Sequence, residues 1–452
     1  MDQRLTALNR FGMGARVGEA GRIGDPRQWL LDQLDAQKGE RPGADVLPNL
    51  ADIAAALKRV AEAAADKNQD ELKAARKVVR DIASKEARAV LEQRIKSEAP
   101  FVERLVAFFS NHFCVSIAGN RQGVVALAGH YEREAIRPHV LGRFSDMVLA
   151  SARHPAMLLY LDNVQSVGPR SPAAQRQKGR KRDINENYAR ELLELHTVGV
   201  DGGYTQNDVR QLALVLSGWN VSGLGPRNNS DESPGFAFRP ALHEPGEKTV
   251  MGRRYAEAGV NEGEQVIRDL CRHESTARFV ATKLAGHFVA DDPPPTAVAR
   301  LAAVFRDAEG DLKAVARALI GLDEAWSPNH RKYRTPQDWL VAALRALGAE
   351  KLPEGVLQSL NKLRHGMWSP LSPRGYGDTL NDWADPDGLL KRAELARTIA
   401  RNVKAAGPEP PQLTDCMTLN DDDPLPTLLR DGEVPRNERL ALALAGPAFQ
   451  WR

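Results

Sequence analysis

The segment INENYARELLELHTV, residues 184–198, carries the pattern on which the predicted architecture of this chain depends. At about 100° per residue, its apolar side chains form one stripe, which is typical of a helix that faces a protein core. Glu191 falls inside that stripe, so we expect a buried helix that carries a carboxylate. The stripe consists of Ile184, Tyr188, Leu192, Leu195 and Val198.

Polar side chains surround Glu191 on this predicted helix. Asn187 and Glu194 lie one turn away, because residues three or four apart meet on a helix surface. Glu186, Arg190 and Glu194 form a second row at the same spacing, with the guanidinium between two carboxylates. Two interpretations follow. Glu191 forms a structural ion pair with an arginine of another helix, because buried charges are almost always paired, or it belongs to a carboxylate cluster used for acid–base chemistry or metal binding.

The composition is that of a globular protein. The chain has 452 residues, with 62 basic and 59 acidic side chains and a net charge of +3. Because the charges nearly balance, the net charge of the protein does not attract it to nucleic acid or to a membrane surface. The three cysteines, Cys114, Cys271 and Cys416, are far apart and form no CxxC pair, so they indicate neither a disulfide framework nor a cysteine zinc site. We predict no signal peptide and no membrane span, because no amino-terminal apolar region and no apolar run of about 18 residues occurs.

The helical periodicity of most of the chain predicts a mainly α protein. We expect a large helical globular domain with orthogonal or bundle-like packing and a short irregular or β-hairpin insertion. The predicted segments are residues 1–50 (amino-terminal helices of the main domain), 51–98 (a long charged helical excursion), 99–404 (the main helical domain, with a basic loop at 164–183 and an irregular flap at 221–256) and 405–452 (a tail rich in Pro and Asp).

Four residues outside the central helix are further candidates for a functional site. His112 ends the apolar run FVERLVAFFSNH and is either a core histidine or a functional one. Arg137 is a candidate ion-pair partner for Glu191. His243 and Lys248 lie on the predicted flap, and functional groups often lie on loops that a rigid scaffold positions.

Basic residues cluster in the loop just before the central helix. This loop is either a solvated connection or a lid that attracts anions, since a basic run concentrates phosphate or carboxylate ligands. It lacks the interleaved aromatic residues that stack on bases, so nucleic-acid binding ranks last. The cluster contains Arg170, Arg176, Lys178, Arg180, Lys181 and Arg182.

The chain resembles a bacterial family catalogued as domain of unknown function 1800. The segments that carry the resemblance include RLTALNRFGMGAR, FFSNHFCVS, NENYARELLELHTVGVDGGYTQNDV, LHEPGEKTVMG, RHESTARFVATKLAGHFV and GMWSPLSPRGYG, and only the charged helices around 52–98 fall outside it. Many relatives read KGWPGG where this chain has SPRGYGDT, so the resemblance implies no role for that loop. The motif residues that the resemblance implies are Asn185, Glu186, Arg190, Glu191 and Glu194, with His112, Arg137, His243 and Lys248 from flanking motifs.

The resemblance also implies a partner. Members of the family often occur beside a second uncharacterised protein, domain of unknown function 1501, which resembles the sulfatase and alkaline-phosphatase fold and often bears a twin-arginine export signal. That route carries folded proteins. The chain is therefore expected either to stay in the cytoplasm or to be exported as a folded complex on the partner's signal.

Three functional hypotheses stay open, and the sequence does not decide whether the protein is an enzyme. The first is an enzyme that uses carboxylate acid–base chemistry at a polar central site. The second is a non-catalytic accessory or binding module for the phosphatase-like neighbour, and the third is polyanion binding through the basic loop. In the first, the catalytic candidates are Glu191, Glu194, Arg190 and His112, and the binding candidates are Asn185, Glu186, Asn187, Arg137, His243 and Lys248.

The sequence leaves metal and cofactor unknown. The run Glu191-x-x-Glu194-x-His196 approaches a metal-binding pattern. On a regular helix, however, His196 points about 140° away from Glu191, so the two side chains would not share one site.

Overall fold

The computed structural model describes residues 2–36, 46–176, 183–224, 232–349, 351–403 and 407–452. Part of the flap, residues 225–231, lies outside this description. So do four members of the basic cluster: Lys178, Arg180, Lys181 and Arg182. The described chain is mainly α-helical with two small antiparallel hairpins, which confirms the predicted mainly α fold with a β-hairpin insertion.

The helices follow one another closely along the chain. The first ten are α1 (Gln3–Thr6), α2 (Pro26–Ala36), α3 (Leu50–Ala65), α4 (Gln69–Lys96), α5 (Pro100–His112), α6 (Gln122–Tyr131), α7 (Phe144–Arg153), α8 (Pro155–Tyr160), α9 (Pro172–Arg176) and α10 (Asn187–Glu191). They are followed by α11 (Gln206–Leu216), α12 (Val260–Arg272), α13 (Glu274–Phe288), α14 (Pro295–Asp307), α15 (Leu312–Ile320), α16 (Pro336–Ala346), α17 (Val356–Lys362), α18 (Leu380–Trp383), α19 (Pro386–Arg401), α20 (Leu425–Arg430) and α21 (Arg436–Ala445).

Other helical turns connect or extend these helices. Wide π-helical turns continue α1, α6 and α10 at Ala7–Phe11, Glu132–Ile136 and Leu192–His196. Short 3₁₀ turns occupy Ala20–Arg22, Arg137–His139, Asn163–Gln165, Pro240–Leu242, Asp323–Trp326, Pro410–Cys416 and Pro447–Gln450.

The flap contains both hairpins. Strands β1 (Trp219–Ser222) and β2 (Gly235–Phe238) pair antiparallel, with Trp219 opposite Phe238. Strands β3 (Lys248–Val250) and β4 (Arg253–Tyr255) pair in the same way, with Lys248 opposite Tyr255.

Local sequence signals fix several helix ends. Thr205 caps α11, where its side chain accepts from the backbone N–H of Asp208 and the Asp208 carboxylate accepts from Thr205 in return. The charged region is broken between Ala65 and Gln69, and Asn68 caps the second of its helices.

The core is centred on α5, whose side chains are buried on nearly every face. Phe101 of α5 packs against Phe11 and Phe288, with ring centroids 5.7 and 5.8 Å apart, and Trp326 stacks on Phe11 at 5.0 Å. These aromatic contacts join α5 to α13, which ends at Phe288. Phe108 and His112, later in α5, lie 5.4 and 6.0 Å from the rings of His287 and Phe279 of α13, so side chains of both helices meet in this region.

The last residues of the chain pack beside this region. The backbones of Lys332 and Arg452 exchange hydrogen bonds of 3.1 and 2.8 Å, and the N–H of Arg334 donates to the carbonyl of Gln450 at 2.8 Å. This short antiparallel pairing places the buried Arg452 side chain 3.4 Å from the carboxylates of both Asp338 and Asp378. Within the described ranges, no helix is long and apolar enough to cross a membrane.

Candidate functional site

The central segment is helical, but it is not a regular α-helix. The α-helix α10 ends at Glu191 and continues as a π turn through His196, where Gly199 N–H donates to the carbonyl of Leu193. A helix at residues 184–198 was predicted, and residues 187–196 form one. Because a π turn aligns residues five apart rather than four, the angle expected between Glu191 and His196 does not apply.

Glu191 is half-buried and lacks the predicted partner. Among the described residues it forms no ion pair and no side-chain hydrogen bond, so the interpretation as a buried interhelical ion pair is wrong. Burial raises the pKa of Glu191, Glu194 raises it further, and Arg190 partly opposes both. Its carboxyl is therefore easier to protonate than an ordinary glutamate.

Arg137, which we expected beside Glu191, is engaged elsewhere. Its two terminal nitrogens donate to both carboxylate oxygens of Glu103 on α5, at 2.6 and 2.9 Å. Both side chains are buried. This bidentate pair ties α5 to the turn after α6, which is a structural role.

The predicted row of Glu186, Arg190 and Glu194 exists at the surface. Arg190 lies 3.4 Å from Glu186 and 3.6 Å from Glu194, and it also donates to the Gln206 side chain at 2.9 Å. Its side chain is 37% exposed, so this row contributes little to stability.

The two asparagines of the core motif shape the start of α10. The Asn185 side chain accepts from the backbone N–H of Asn187 at 2.9 Å and donates to the carbonyl of Asp162 at 3.3 Å. The Asn185 backbone N–H donates to Ser166. These bonds fix the chain that enters the helix, and Asn187 itself is exposed.

His243 and Lys248 form a separate, fully buried cluster with Glu262 of α12. Nζ of Lys248 lies 3.2 Å from the Glu262 carboxylate and 3.3 Å from Nε2 of His243, and it donates to the carbonyl of Glu244 at 2.6 Å. His243 Nδ1 donates to the carbonyl of Ser217 at 2.7 Å. The cluster fastens the flap to α12 and the end of α11.

His112, at the end of α5, lies in the wall of a cavity of about 280 Å³. Its Nε2 donates to the carbonyl of His196 at 3.2 Å, while its Nδ1 has no protein hydrogen-bond partner. Burial lowers the pKa of His112 well below its usual value, and Lys283 lowers it further. Of the sequence candidates, His112 is the one that lines this cavity. Besides α5, the cavity is lined by parts of α13, the start of α16 and the loop that follows Trp368.

The carboxylates that line the cavity are all engaged by neighbouring groups. Asp291 pairs with Lys332, and Asp338 lies 3.2 Å from Arg104. Burial alone would raise the pKa of Asp338, but Arg104 and Arg452 hold it well below its usual value. The lining carboxylates with such partners are Glu132, Asp291, Asp338, Asp378 and Asp382.

Two of the cationic side chains that line the cavity have no ion-pair or hydrogen-bond partner among the described residues. Lys283 of α13 and Arg374 of the loop form no ion pair and no side-chain hydrogen bond within the part of the chain that the structure describes. Arg374 is exposed, whereas Lys283 is half-buried, with Nζ 5.6 Å from the Phe279 ring. Burial lowers the pKa of Lys283 to about 8; Arg374 adds to this shift and the Asp378 carboxylate opposes it.

A histidine–aspartate pair lies one helical turn from Lys283. Nδ1 of His287 donates to Oδ2 of Asp378 at 2.6 Å, while Nε2 of His287 has no protein hydrogen-bond partner. Burial lowers the pKa of His287 to about 4, although Asp378 opposes the shift. Burial would raise the pKa of Asp378, but His287, Lys332 and Arg452 lower it to about 2. At neutral pH the pair is therefore an imidazole oriented by a carboxylate.

The loop after Trp368 forms one wall of the cavity. Asn111 of α5 donates to the carbonyl of Tyr376 at 2.9 Å, and its side-chain oxygen accepts from the Tyr376 N–H at 2.8 Å. Gly375 has a φ of +84°, and a Cβ there would lie 2.5 Å from the Asn111 carbonyl oxygen. The segment SPRGYGDT therefore supplies both Arg374 and Asp378 to the cavity wall.

Sequence reasoning missed Lys283, His287, Arg374 and Asp378. Lys283 and His287 lie four residues apart in ATKLAGHFV, so they share one helix face, and this spacing was a usable signal. Asp378 and Arg374 gave no comparable signal, because only the folded loop brings them to α13. Within the described residues, no group of three or more His, Cys, Asp or Glu side chains is arranged to hold a metal ion.

Fold and site together define a mainly α-helical protein with a small cavity of ionisable side chains. Residues 6–451 match the family described as protein of unknown function (DUF1800), and the chain belongs to that family. No curated protein and no solved structure matches the chain.

Proposed function

We propose that the protein binds a small anionic molecule in the cavity between α5 and α13, and that His287 and Asp378 provide acid–base chemistry to that molecule. The observation that carries this proposal is Lys283, a half-buried amine that lines the cavity without a counterion among the described residues.

A buried charge without a partner is costly, because removing it from water is not offset by an ion pair. Of the five lining carboxylates, Glu132, Asp291, Asp338 and Asp378 pair with arginine or lysine side chains, and Asp382 accepts from Thr379, so none of them forms an ion pair with Lys283. Arg374 stands at the same cavity and adds a second positive charge. An anion bound between the two cations would lower the cost of burying Lys283 and would offset the repulsion between Lys283 and Arg374.

The size and lining of the cavity restrict the ligand. A volume of about 280 Å³ lies near the lower end of the range for small-molecule sites. Phe108, Met367 and Trp368 provide apolar walls beside the polar groups. We therefore expect a compact organic anion, such as a carboxylate or a phosphate ester, rather than a polymer.

The His287–Asp378 pair supplies the chemistry in this proposal. The Asp378 carboxylate accepts a hydrogen bond from the Nδ1–H group of His287. The proton of the neutral ring is therefore on Nδ1 and the free lone pair is on Nε2, as in other histidines oriented by a carboxylate. Its low pKa keeps the imidazole neutral at pH 7, so Nε2 can accept a proton from a bound ligand. Under this proposal His112 is a wall residue, and Glu191 lies outside the reacting groups.

Calorimetric titration with sulfate tests the anion site, because the charge of sulfate stays constant above pH 3. We expect Lys283→Met and Arg374→Met each to weaken sulfate binding by about tenfold or more, the effect of losing one charged hydrogen bond. Binding by the unaltered protein should weaken as the pH rises through about 8, where Lys283 loses its proton.

The matched controls are Lys73→Met and Arg76→Met, which remove the same charges from the exposed face of α4. Both should bind sulfate as the unaltered protein does. If the control variants and the cavity variants lost sulfate affinity equally, the effect would come from the overall charge of the protein, and the proposed site would be refuted.

A further inference from the structure

We infer that Lys283 is a nucleophilic amine that forms an imine with the carbonyl group of a small anionic oxo compound, such as a 2-oxo acid. The inference rests on the proposed anion site, because Arg374 would hold the anionic group of the same molecule. It names the class of ligand and gives Lys283 a covalent role.

Burial and the neighbouring Arg374 cation favour an unprotonated amine at Lys283, against the attraction of the Asp378 carboxylate for the ammonium form. Nζ lies 5.6 Å from the Phe279 ring, and the nearby Cys114 thiol carries no charge, because burial raises its pKa to about 12. The neighbouring imidazoles of His112 and His196 are also buried and neutral at pH 7. A lysine that is desolvated or placed next to another cation is the usual form of an imine-forming lysine.

Lys332 provides an internal contrast at the same cavity. Its ammonium pairs with Asp291 and donates to the carbonyl of Asp378 at 2.5 Å. Those partners favour the protonated form, which is not a nucleophile. Of these two lining lysines, Lys283 alone lacks such partners within the described ranges, and the pKa of about 8 supports the same assignment.

The reaction is balanced without a further reactant. The Nζ lone pair attacks the carbonyl carbon, and the carbonyl oxygen takes up the proton that the nitrogen releases. The resulting carbinolamine loses its hydroxyl group with a second proton as water, and a C=N bond forms. Hydrolysis reverses the sequence, so the imine is an intermediate and not a permanent modification.

Reductive trapping tests the inference directly. The full-length protein is incubated with pyruvate and cyanoborohydride at pH 7.5, and the labelled lysines are identified by peptide mass spectrometry. An ordinary lysine has a pKa near 10.4, so Lys283 should have a roughly hundredfold larger unprotonated fraction. We expect Lys283 to be labelled about tenfold or more faster than Lys332 and exposed Lys73, with a rate that rises as the pH increases through about 8.

The controls separate this inference from the proposed anion site. Sulfate should slow the labelling of Lys283 by pyruvate, and Lys283→Arg should abolish labelling at this position. Arg374→Met should slow labelling by pyruvate more than labelling by acetone, which is neutral, when both are measured at pH 9.5, where the amine of either variant is largely unprotonated.

Sulfate binding with Lys283 labelled no faster than Lys73 would overturn the imine and leave the anion site standing. Fast labelling of Lys283 that neither sulfate nor Arg374→Met affects would support a reactive amine but overturn its assignment to an anionic substrate. Absence of both sulfate binding and labelling would overturn the whole account of the cavity.

Discussion

Oδ2 of Asp378 lies 2.6 Å from Nδ1 of His287, although 91 positions separate the two residues in the sequence. The Asp378 carboxylate also lies 3.4 Å from Arg452, and its backbone carbonyl accepts from Lys332 at 2.5 Å. These contacts tie the loop after Trp368 to α13. They therefore fix the orientation of an imidazole in the cavity wall.

The tautomer of His287 is the first prediction. Because an ionised carboxylate can only accept, the proton must be on Nδ1. We expect ¹⁵N NMR of histidine-labelled protein to show a neutral Nδ1–H imidazole at pH 7 that becomes protonated only near pH 4. Asp378→Asn should remove this fixed preference. A proton on Nε2 at pH 7, or titration close to pH 6.5, would contradict the assigned pair.

The second prediction concerns the stability cost of Lys283. The pKa of its amine falls from 10.5 to about 8 on folding, a penalty of at most about 3 kcal/mol. Because the unfolded chain binds the proton more tightly, the penalty is complete below pH 8 and disappears by about pH 10.5. Lys283→Met should therefore raise the free energy of unfolding at pH 7 in urea titrations, and the gain should shrink as the pH rises.

Lys73→Met is the matched control for this measurement, because Lys73 is exposed on α4. Its unfolding free energy should stay within about 0.5 kcal/mol of the unaltered protein. If Lys283→Met lowered the stability at pH 7, the amine would have a stabilising partner, and the account of an unpaired cation would be wrong.

The third prediction compares two glutamates. Glu103→Gln leaves the buried Arg137 guanidinium facing a neutral amide, and breaking such a pair costs about 3–5 kcal/mol. Glu191→Gln removes a half-buried carboxylate that has no ion pair among the described residues, so stability at pH 7 should be unchanged or slightly higher. Chemical denaturation of both variants provides the comparison. If Glu191→Gln lowered the free energy of unfolding more than Glu103→Gln did, Glu191 would have a buried ion-pair partner, as the sequence-based interpretation proposed.

The fourth prediction concerns the wall that carries Arg374. Alanine at position 375 would require a left-handed backbone and would bring its Cβ to 2.5 Å from the Asn111 carbonyl oxygen. Gly348→Ala is the matched control, because Gly348 has a φ of +65° but a Cβ added there would meet no atom within 4 Å. Gly375→Ala should weaken sulfate binding by about tenfold or more, and Gly348→Ala should leave it unchanged. Equal sulfate affinities would show that the loop does not form the site.

Much of the fold could be predicted from local sequence signals. The mainly α fold with a hairpin insertion was predicted from the periodicity of neighbouring residues, and the structure confirms it. The cap at Thr205 and the break between Ala65 and Gln69 depend on neighbouring residues in the same way. The partner of Glu191 could not be predicted in this way. Several arginines stand at comparable positions in the sequence, and only tertiary packing directs Arg137 toward Glu103.

The candidate site, too, could be predicted only in part from local sequence signals. The spacing of Lys283 and His287 was visible in the sequence, but its meaning depends on groups from distant segments, Asp378 and Arg374. The central motif drew attention to Glu191 because a carboxylate in an apolar stripe is unusual. The π turn after Glu191 breaks the regular periodicity on which that argument depended. Export with a phosphatase-like partner stays a prediction.

A crystal of the unaltered protein soaked in selenate at pH 7 tests the anion site most directly, because selenium gives an anomalous signal that identifies the ion. We predict an anomalous peak inside the cavity, within hydrogen-bond distance of Nζ of Lys283 and the guanidinium of Arg374. The peak should be absent from crystals of Lys283→Met and present in crystals of Lys73→Met. Selenate peaks confined to other surfaces, with none at Lys283, would contradict the account.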